Sequence, residues 1–172
     1  MSTVYVCSNI SNIDTMHCGE VLCCVQIESW PKGVTKTAEE QGYLSTFAAR
    51  RRRWFPQINS KDWHEKGGAE RAAVNFHCQA GAADVAKWAM IKVEEAVRAA
   101  RLQNSMQMCL QIHDELVFLV KNDDVERCAQ LVRHSMEGAA ESPGMWKLEV
   151  PMKVKISIGP SWGELEQYSS AQ

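Results

Sequence analysis

Two apolar runs on either side of a polar triplet constrain the fold of this chain more than any other feature. Residues 106–112 and 116–120 are rich in Met, Leu, Ile, Val and Phe, and His113, Asp114 and Glu115 separate them. Apolar runs of this length with a short polar break predict an antiparallel hairpin. We therefore expect the acidic pair at the tip of a tight hairpin, although turn chemistry alone also favours aspartate there.

The rest of the chain predicts helices and one further strand. Residues 69–102 are rich in Ala and carry apolar residues at helical spacing, with a bend or a change of helix expected at Ala80-Gly81. Asn122 or Asp123 is expected to cap a shorter helix. Residues 150–158 alternate between apolar and polar, which predicts a strand that ends at Gly159-Pro160. An antiparallel sheet with two or three helices is an α+β fold.

The first part of the chain has a different composition. Residues 1–34 are rich in Ser, Asn, Thr and Cys and contain no recognisable motif, and residues 30–33 (Trp-Pro-Lys-Gly) predict a turn. An alternating segment from Leu44 leads into the arginines 50–53, which predicts a short strand or hairpin with a basic turn. Residues 59–68 predict a polar loop. We therefore divide the chain into an unassigned segment, 1–34, and one domain, 35–172.

Composition excludes several classes of protein. With 172 residues, 45% of them hydrophobic, and a net charge of −2, the chain is neither a disordered tail, a collagen-like fibre nor a strongly basic nucleic-acid clamp. No apolar run approaches the roughly 20 residues of a membrane helix, and no leader pattern is evident. The seven cysteines lack a disulfide-framework spacing. We expect an intracellular protein that does not contact a membrane.

Charge is unevenly distributed along the chain. Residues 32–71 hold nine Lys or Arg against five Asp or Glu, whereas the remainder is acidic. Grouped basic residues attract a polyanion, although a solvated loop fits the same pattern. Within this part, Arg71, Asn75 and Gln79 recur every four residues and share one helix face. Their donors and acceptors suit phosphates and minor-groove base edges, but an ordinary solvated face is the simpler interpretation.

Taken in order, several motifs resemble the C-terminal part of a family A DNA polymerase, most closely the eukaryotic theta-like branch. The resemblance covers about residues 35–165. It rests on Gln41-Gly42-Tyr43, the arginine run before Trp54-Phe55-Pro56, Glu70 to Asn75, Gln79 with Ala82-Ala83-Asp84 and Lys87, Gln111 to Val117, and Lys153 to Leu165.

The resemblance implies a polymerase palm that binds primed template DNA and deoxynucleotide triphosphates. Asp114 would be a ligand of catalytic Mg²⁺, Glu115 a supporting carboxylate and His113 a contact near the primer terminus. In such a site two metal ions promote attack of the primer 3′-hydroxyl on the α-phosphorus. Minor-groove contacts would come from Arg71, Asn75 and Gln79, and backbone contacts from Arg50, Arg51, Arg52 and Arg53. The acidic tip and the amide-bearing helix face would then lie close enough for one nucleic-acid end to touch both.

The chain also departs from the family pattern. Nothing in residues 1–34 matches the first metal motif or the fingers helix, and the surroundings of Asp14 do not fit that motif. Ala49 stands where glycine is common. We therefore expect that the isolated chain does not extend a primer and needs the missing fingers and thumb of a longer polymerase.

The alternative is a catalytically incomplete DNA-binding or interaction module. A phosphohydrolase dyad at His113-Asp114 is disfavoured, because the other histidines lack a fitting pattern. The theta-like resemblance implies a role in DNA repair or replication in the nucleus, with the mitochondrion as the alternative.

Overall fold

The computed structural model describes residues 3–10, 21–46, 51–141 and 152–168, of which 3–10, 21–28 and 140–141 are described as backbone only. The chain forms two compact units. One, here called the helical unit, comprises residues 15–84, and the other, the sheet unit, comprises residues 1–14 and 85–172. The described helices and strands are, in chain order, β1 (Thr3–Ile10), α1 (Val21–Gln41), β2 (Tyr43–Ser45), β3 (Arg52–Trp54), α2 (Trp63–Ala99), β4 (Met106–Ile112), β5 (Glu115–Lys121), α3 (Val125–Glu137), β6 (Val154–Gly159) and β7 (Glu166–Gln167).

The sheet unit is built on an antiparallel sheet with the strand order β4-β5-β1-β6-β7. Strand β1 therefore lies between the hairpin strand β5 and strand β6. The α+β class, the hairpin of β4 and β5, and the end of β6 at Gly159 confirm the sequence predictions. Among the described residues, no helix has the length and apolarity to span a membrane.

The core of the sheet unit forms where α3 and the end of α2 bury their apolar faces. Residues of α2 at four-residue spacing are buried, as the helical periodicity predicts. Burial also raises the pKa of the Cys128 thiol on α3 to about 11, so this thiol stays protonated at neutral pH. The buried members of the core include Ala89, Val93, Val97, Cys128, Val132, Met136, Leu116, Phe118, Val120, Val154 and Ile156.

The helical unit contains α1, the first part of α2 and the β2–β3 hairpin. Its own core is a small cluster of Val34, Ala38, Leu44, Phe55, Ile58, Ala69 and Ala73. At the surface, the Lys66 Nζ atom of α2 lies 2.7 Å from Glu39 Oε1 of α1. The hydrogen bond to Glu39 raises the pKa of Lys66, so the cation persists and links the two helices at any physiological pH.

Two sequence predictions of breaks between elements are wrong in the helical unit. Residues 30–33 do not form a turn but lie inside α1, with Pro31 as an interior helix residue. Of the polar loop expected over residues 59–68, only residues 60–62 lie outside a helix, because Pro56–Asn59 forms a 3₁₀ turn and α2 begins at Trp63. Burial of Val34 and Ala38 against the core favours the helix over local turn chemistry.

Two further predictions about helices need correction. Ala80-Gly81 does not interrupt α2, which continues from Trp63 to Ala99 with both residues buried. Asn122 and Asp123 do not cap α3, because residues 122–124 form a 3₁₀ turn and Asp124 takes the N-cap position without a side-chain cap hydrogen bond. Packing of the amphipathic face of α3 supplies the stability that a cap would add.

Candidate nucleic-acid interface

The acidic turn of the sheet unit joins β4 to β5 through only two residues, His113 and Asp114, since Ile112 pairs with Glu115. His113 has a φ of +51°, in the left-handed region that histidine enters more readily than most residues. The Gln111 side-chain amide donates a hydrogen bond to the His113 carbonyl. His113 and Asp114 are exposed, whereas Glu115 begins β5 and is half-buried. The acidic pair is therefore split between the turn and the strand.

The support beneath the turn comes from β5 more than from β4. Leu116 and Phe118 are buried, as the sequence predicts. Leu110, however, is 45% exposed, and the register of β4 shifts between Met108 and Leu110. The apolar residues before and after the turn predict burial in both strands, and this prediction is wrong for Leu110 of β4. A bulge of this kind re-aims the side chains of one strand, which explains why Leu110 leaves the core.

A row of three paired positions crosses the sheet beside the turn. Asn9 of β1 is the register partner of Glu115 on β5 and of Lys155 on β6. We call Glu115, Asn9 and Lys155 the cross-strand row. Sequence reasoning missed Asn9, because residues 1–34 show no motif. The one available signal was the β-favouring run Thr3-Val4-Tyr5-Val6, which gives no register.

The residues at the acidic turn meet only part of what a Mg²⁺ pair requires. Asp114 and Glu115 supply hard carboxylate oxygens, which is the donor type that Mg²⁺ prefers. The register neighbour of Glu115 on β1 is an amide residue, Asn9, whose other register neighbour is Lys155. Within the described ranges, no three or more His, Cys, Asp or Glu residues group into a site that could hold a metal ion. The described donor set therefore does not fit a two-metal centre, and Asp14 lies outside the described residues.

The helical unit brings together the three residues of the predicted stripe. Arg71, Asn75 and Gln79 are all exposed and line one shallow groove of about 680 Å³. Lys32 of α1 lines the same groove and adds a second cation. We call this the α2 groove. Sequence reasoning missed Lys32 because it was assigned to a turn. Apart from these four, the groove is lined by Pro31, Thr35, Glu70, Val74 and Cys78.

The arginines of the β2–β3 hairpin differ in their surroundings. Arg51 Nη2 lies 3.2 Å from Asp84 Oδ1 and donates a hydrogen bond of 3.1 Å to the Ala80 carbonyl. Arg52 lies over the Tyr43 ring, with its Cζ atom 5.0 Å from the ring centroid. Arg53 lies over Phe55 and Phe76 at 5.4 and 6.0 Å. Arg50 lies outside the described residues.

A guanidinium carries five N–H donors, so an arginine that lies over an aromatic ring can still donate to phosphate oxygens. Both residues are exposed, and Trp54 beside them is 65% exposed. The hairpin thus presents cations and an aromatic ring to solvent, a combination typical of nucleic-acid surfaces. Arg51 has a different role, because its guanidinium joins the hairpin to α2.

This α+β arrangement matches the fold of a solved polymerase domain. Residues 24–164 match the model of DNA polymerase family A. The chain belongs to this family.

Similar proteins come from both bacteria and animals. DNA polymerase I of Mycobacterium tuberculosis (strain ATCC 25618 / H37Rv) is 38% identical over 136 residues, which are 79% of this chain and 14% of that protein. DNA polymerase theta of Drosophila melanogaster is 36% identical over 148 residues, 83% of this chain and 7% of the relative. The chain therefore spans a small part of the curated relatives it matches. The theta-like branch is one of several similar groups.

A solved structure gives the same result for the fold. The polymerase domain of Pol1 from M. smegmatis, in complex with a DNA primer-template and dNTP, has a TM-score of 0.71 and 37% sequence identity to this chain. The match covers 79% of this chain and 22% of that one.

Proposed function

We propose that this chain binds the template-primer duplex of a DNA-directed DNA polymerase, as the C-terminal portion of its palm. The observation that carries the proposal is the α2 groove, where Arg71, Asn75 and Gln79 lie together with Lys32. The groove thus offers two cations for phosphates, one from α1 and one from α2, and two amides of α2 for base edges. The solved relative in complex with a primer-template and dNTP supports DNA and nucleotides as partners.

The chemistry of these residues suits a polymerase that must accept any sequence. In the minor groove, A·T and T·A pairs present the same acceptors, so amide and guanidinium donors contact all correctly paired steps in nearly the same way. Cations that neutralise phosphates release counterions, and the affinity then falls as salt rises. We therefore propose sequence-independent, salt-dependent binding, with Arg52 and Arg53 of the hairpin as further backbone contacts.

Replacing Arg71 by alanine is expected to weaken binding to a primed duplex by about tenfold, because each such contact contributes about 1–3 kcal/mol. The slope of log affinity against log salt concentration should also decrease in magnitude by about one, because one fewer counterion is released on binding. Fluorescence anisotropy at several salt concentrations measures both quantities. Arg98→Ala, which removes an exposed cation of α2 outside the groove, is the matched control. Equal affinity of the Arg71→Ala variant and the native chain at every salt concentration would contradict the proposal.

Magnesium-dependent nucleotidyl transfer needs more than this chain's described residues provide. Asp114 would bind the metal and Glu115 would support it, but the register neighbour on β1 adds no carboxylate. We propose that the 172-residue polypeptide binds DNA without extending a primer. An assay with a primed template, Mg²⁺ and all four deoxynucleotide triphosphates tests this. Incorporation by the polypeptide alone would show that a further carboxylate completes the site, whereas incorporation only after adding the rest of a polymerase domain in trans would support an enzyme fragment.

The cross-strand row favours a second candidate, a DNA-binding or interaction module without catalysis. The same assay separates the two, because such a module stays inactive when the missing parts are supplied.

We also propose a role in DNA repair or replication in the nucleus, with the mitochondrion as the alternative. Imaging of the tagged protein beside markers of both compartments tests the location, and exclusion from both would rule it out.

A further inference from the structure

The most exposed large apolar side chain among the described residues lies at the first position of α2. Trp63 is 75% exposed, and its ring stacks on that of His64, with 3.5 Å between the ring centroids and 30° between the ring planes. The imidazole covers one face of the indole. An exposed fraction this large leaves the other face accessible to a ring from another molecule.

Hydrogen bonds hold the backbone around this ring pair. The Asp62 carboxylate accepts a hydrogen bond of 2.8 Å from the His64 amide, as an N-cap side chain does. The Ser60 hydroxyl accepts a hydrogen bond from the Asp62 amide and donates one of 2.7 Å to Glu65 Oε2. These bonds satisfy the first turn of α2, so the ring pair is presented from an ordered helix end rather than a frayed one.

Two glycines follow the ring pair inside α2, at positions where packing does not require them. Outside the backbone of its own helix, Gly68 has no heavy atom within 4 Å of the position that a Cβ would take. Gly67 has only Arg71 Nη1, at 3.4 Å. Glycine lowers the stability of a helix interior relative to alanine, so packing and helix propensity both give no reason for the pair. What the glycines do is leave the helix surface bare between Trp63 and the Arg71 guanidinium.

This bare surface connects the ring to the α2 groove. Trp63, Gly67 and Arg71 are spaced by four residues, which is also the spacing of the groove stripe that begins at Arg71. With a rise of about 1.5 Å per residue, about 12 Å of helix axis separates Trp63 from Arg71. That is the length of about three to four stacked nucleotides at about 3.4 Å each. A single strand that continues from a duplex in the groove can therefore reach the ring.

The charges beside the ring favour a base over a phosphate as its ligand. Residues 61–66 contain two lysines and two carboxylates, which cancel, so this end of α2 attracts phosphates only weakly. An aromatic ring instead stacks on any base that exposes its π-face, whatever the sequence. Bases inside a duplex present only their edges to a protein. The base that stacks on Trp63 must therefore be unpaired.

We propose that Trp63 is a stacking platform for an unpaired nucleobase of the template strand, at the point where this strand leaves the duplex in the α2 groove. The inference rests on the proposed function for the duplex. Stacking itself requires only a base that reaches the ring, so single-stranded DNA tests it separately.

The first test measures, by fluorescence anisotropy, how the full chain binds three labelled DNA probes. One is a blunt duplex, one carries a template overhang of about five nucleotides, and one carries the same overhang with abasic sites. The native chain is expected to bind the overhang with bases about tenfold more tightly than the abasic overhang, because one base stacked on an aromatic ring contributes about this factor. The abasic probe keeps the phosphates, so the difference reports the bases alone.

Variants at the ring identify the residue responsible. Trp63→Leu is expected to remove the tenfold difference, whereas Trp63→Phe should keep most of it, because phenylalanine retains an aromatic face. Trp162→Leu, which removes an exposed indole of the sheet unit, is the matched control and should keep the full difference. Circular dichroism confirms that each variant is folded. A folded Trp63→Leu variant that keeps the full difference would overturn the inference.

Two further outcomes separate this inference from the proposed function. Equal affinity of the native chain for all three probes would refute the stacking platform and leave duplex binding in place. If the blunt duplex is not bound, the native chain and Trp63→Leu are titrated with a single-stranded oligonucleotide and its abasic counterpart. A preference for the bases that only the native chain shows would support the platform and refute duplex binding. No preference in either chain would refute both.

Discussion

Replacing Arg51 by methionine is expected to lower the free energy of unfolding of the helical unit by about 2–3 kcal/mol. Asp84 is 1% exposed, and the Arg51 guanidinium 3.2 Å away is the cation that balances its charge. Removing one partner of a buried ion pair costs about 3–5 kcal/mol, because the other charge stays buried without compensation. The side chain of Arg51 is 44% exposed, so water screens part of this pair and reduces the cost. Urea unfolding followed by circular dichroism measures the change.

A double variant identifies the cause of that loss. Asp84 Oδ1 lies near the guanidinium, and neither Asp84 oxygen forms a hydrogen bond, so the interaction is mainly one of charge. Arg51→Met combined with Asp84→Asn removes both charges at nearly constant volume and should recover more than half of the lost stability. Arg98→Met, which breaks the exposed pair with Glu94, is the control and should change stability by less than about 0.5 kcal/mol. A double variant as unstable as the single one would show that Arg51 acts through packing instead.

This ion pair changes how the arginine run should be interpreted. From the sequence, Arg50 to Arg53 form a uniform basic segment, and all four are equally good candidates for the DNA backbone. The structure separates them, because Arg51 contacts Asp84 and Ala80 while Arg52 and Arg53 stack on aromatic rings. The assignment of these residues to DNA stays a prediction. If it holds, Arg51 contributes chiefly by holding the hairpin on α2.

Elements with a local pattern were predictable from the sequence. The hairpin of β4 and β5 follows from two apolar runs around a polar break, and its position determines where Asp114 lies. The buried stripe of α2 likewise follows from its helical period. In both cases the signal lies within about fifteen neighbouring residues. The stripe of Arg71, Asn75 and Gln79 shares one groove for the same reason, since spacing of four residues fixes a helix face.

Features that depend on distant contacts were not predictable. Pro31 removes one helical hydrogen bond, at a cost of about 3 kcal/mol. Without tertiary contacts, the Trp-Pro-Lys-Gly segment therefore favours a turn over a helix. Thr35 and Thr37 donate hydrogen bonds to the carbonyls of Pro31 and Gly33, and these bonds fit the helix that tertiary burial imposes. The register of Asn9 with Glu115 has no sequence signal at all, because more than 100 residues separate the two strands. The expected proximity of the acidic turn to the groove residues stays a prediction, since the two belong to different units.

The segment from Gly159 to Leu165 belongs to the motif of residues 153–165 that resembles family A polymerases, and the structure gives it a physical role. The chain turns back sharply after β6, and Ser161 accepts a backbone hydrogen bond from Glu164 at 3.1 Å. The Ser161 hydroxyl also donates to Glu164 Oε2 at 3.0 Å. This return places the backbone of Glu164 directly against Gly159 and allows β7 to pair with β6. A side chain at position 159 has no space there.

Gly159→Ala is therefore expected to destabilise the sheet unit by about 3 kcal/mol, at the upper end of typical overpacking costs. A Cβ atom at this position would overlap the backbone carbonyl of Glu164, and backbone yields less readily than the end of a flexible side chain. Gly138→Ala is the matched control, because nothing lies within 4 Å of its Cβ position and its φ of −76° suits alanine. The control should be neutral or slightly stabilising. Urea unfolding of both variants measures the difference in their free energies of unfolding. Equal stability of the two variants would mean that the turn after β6 can open without cost. The structure would then give no reason for glycine at position 159.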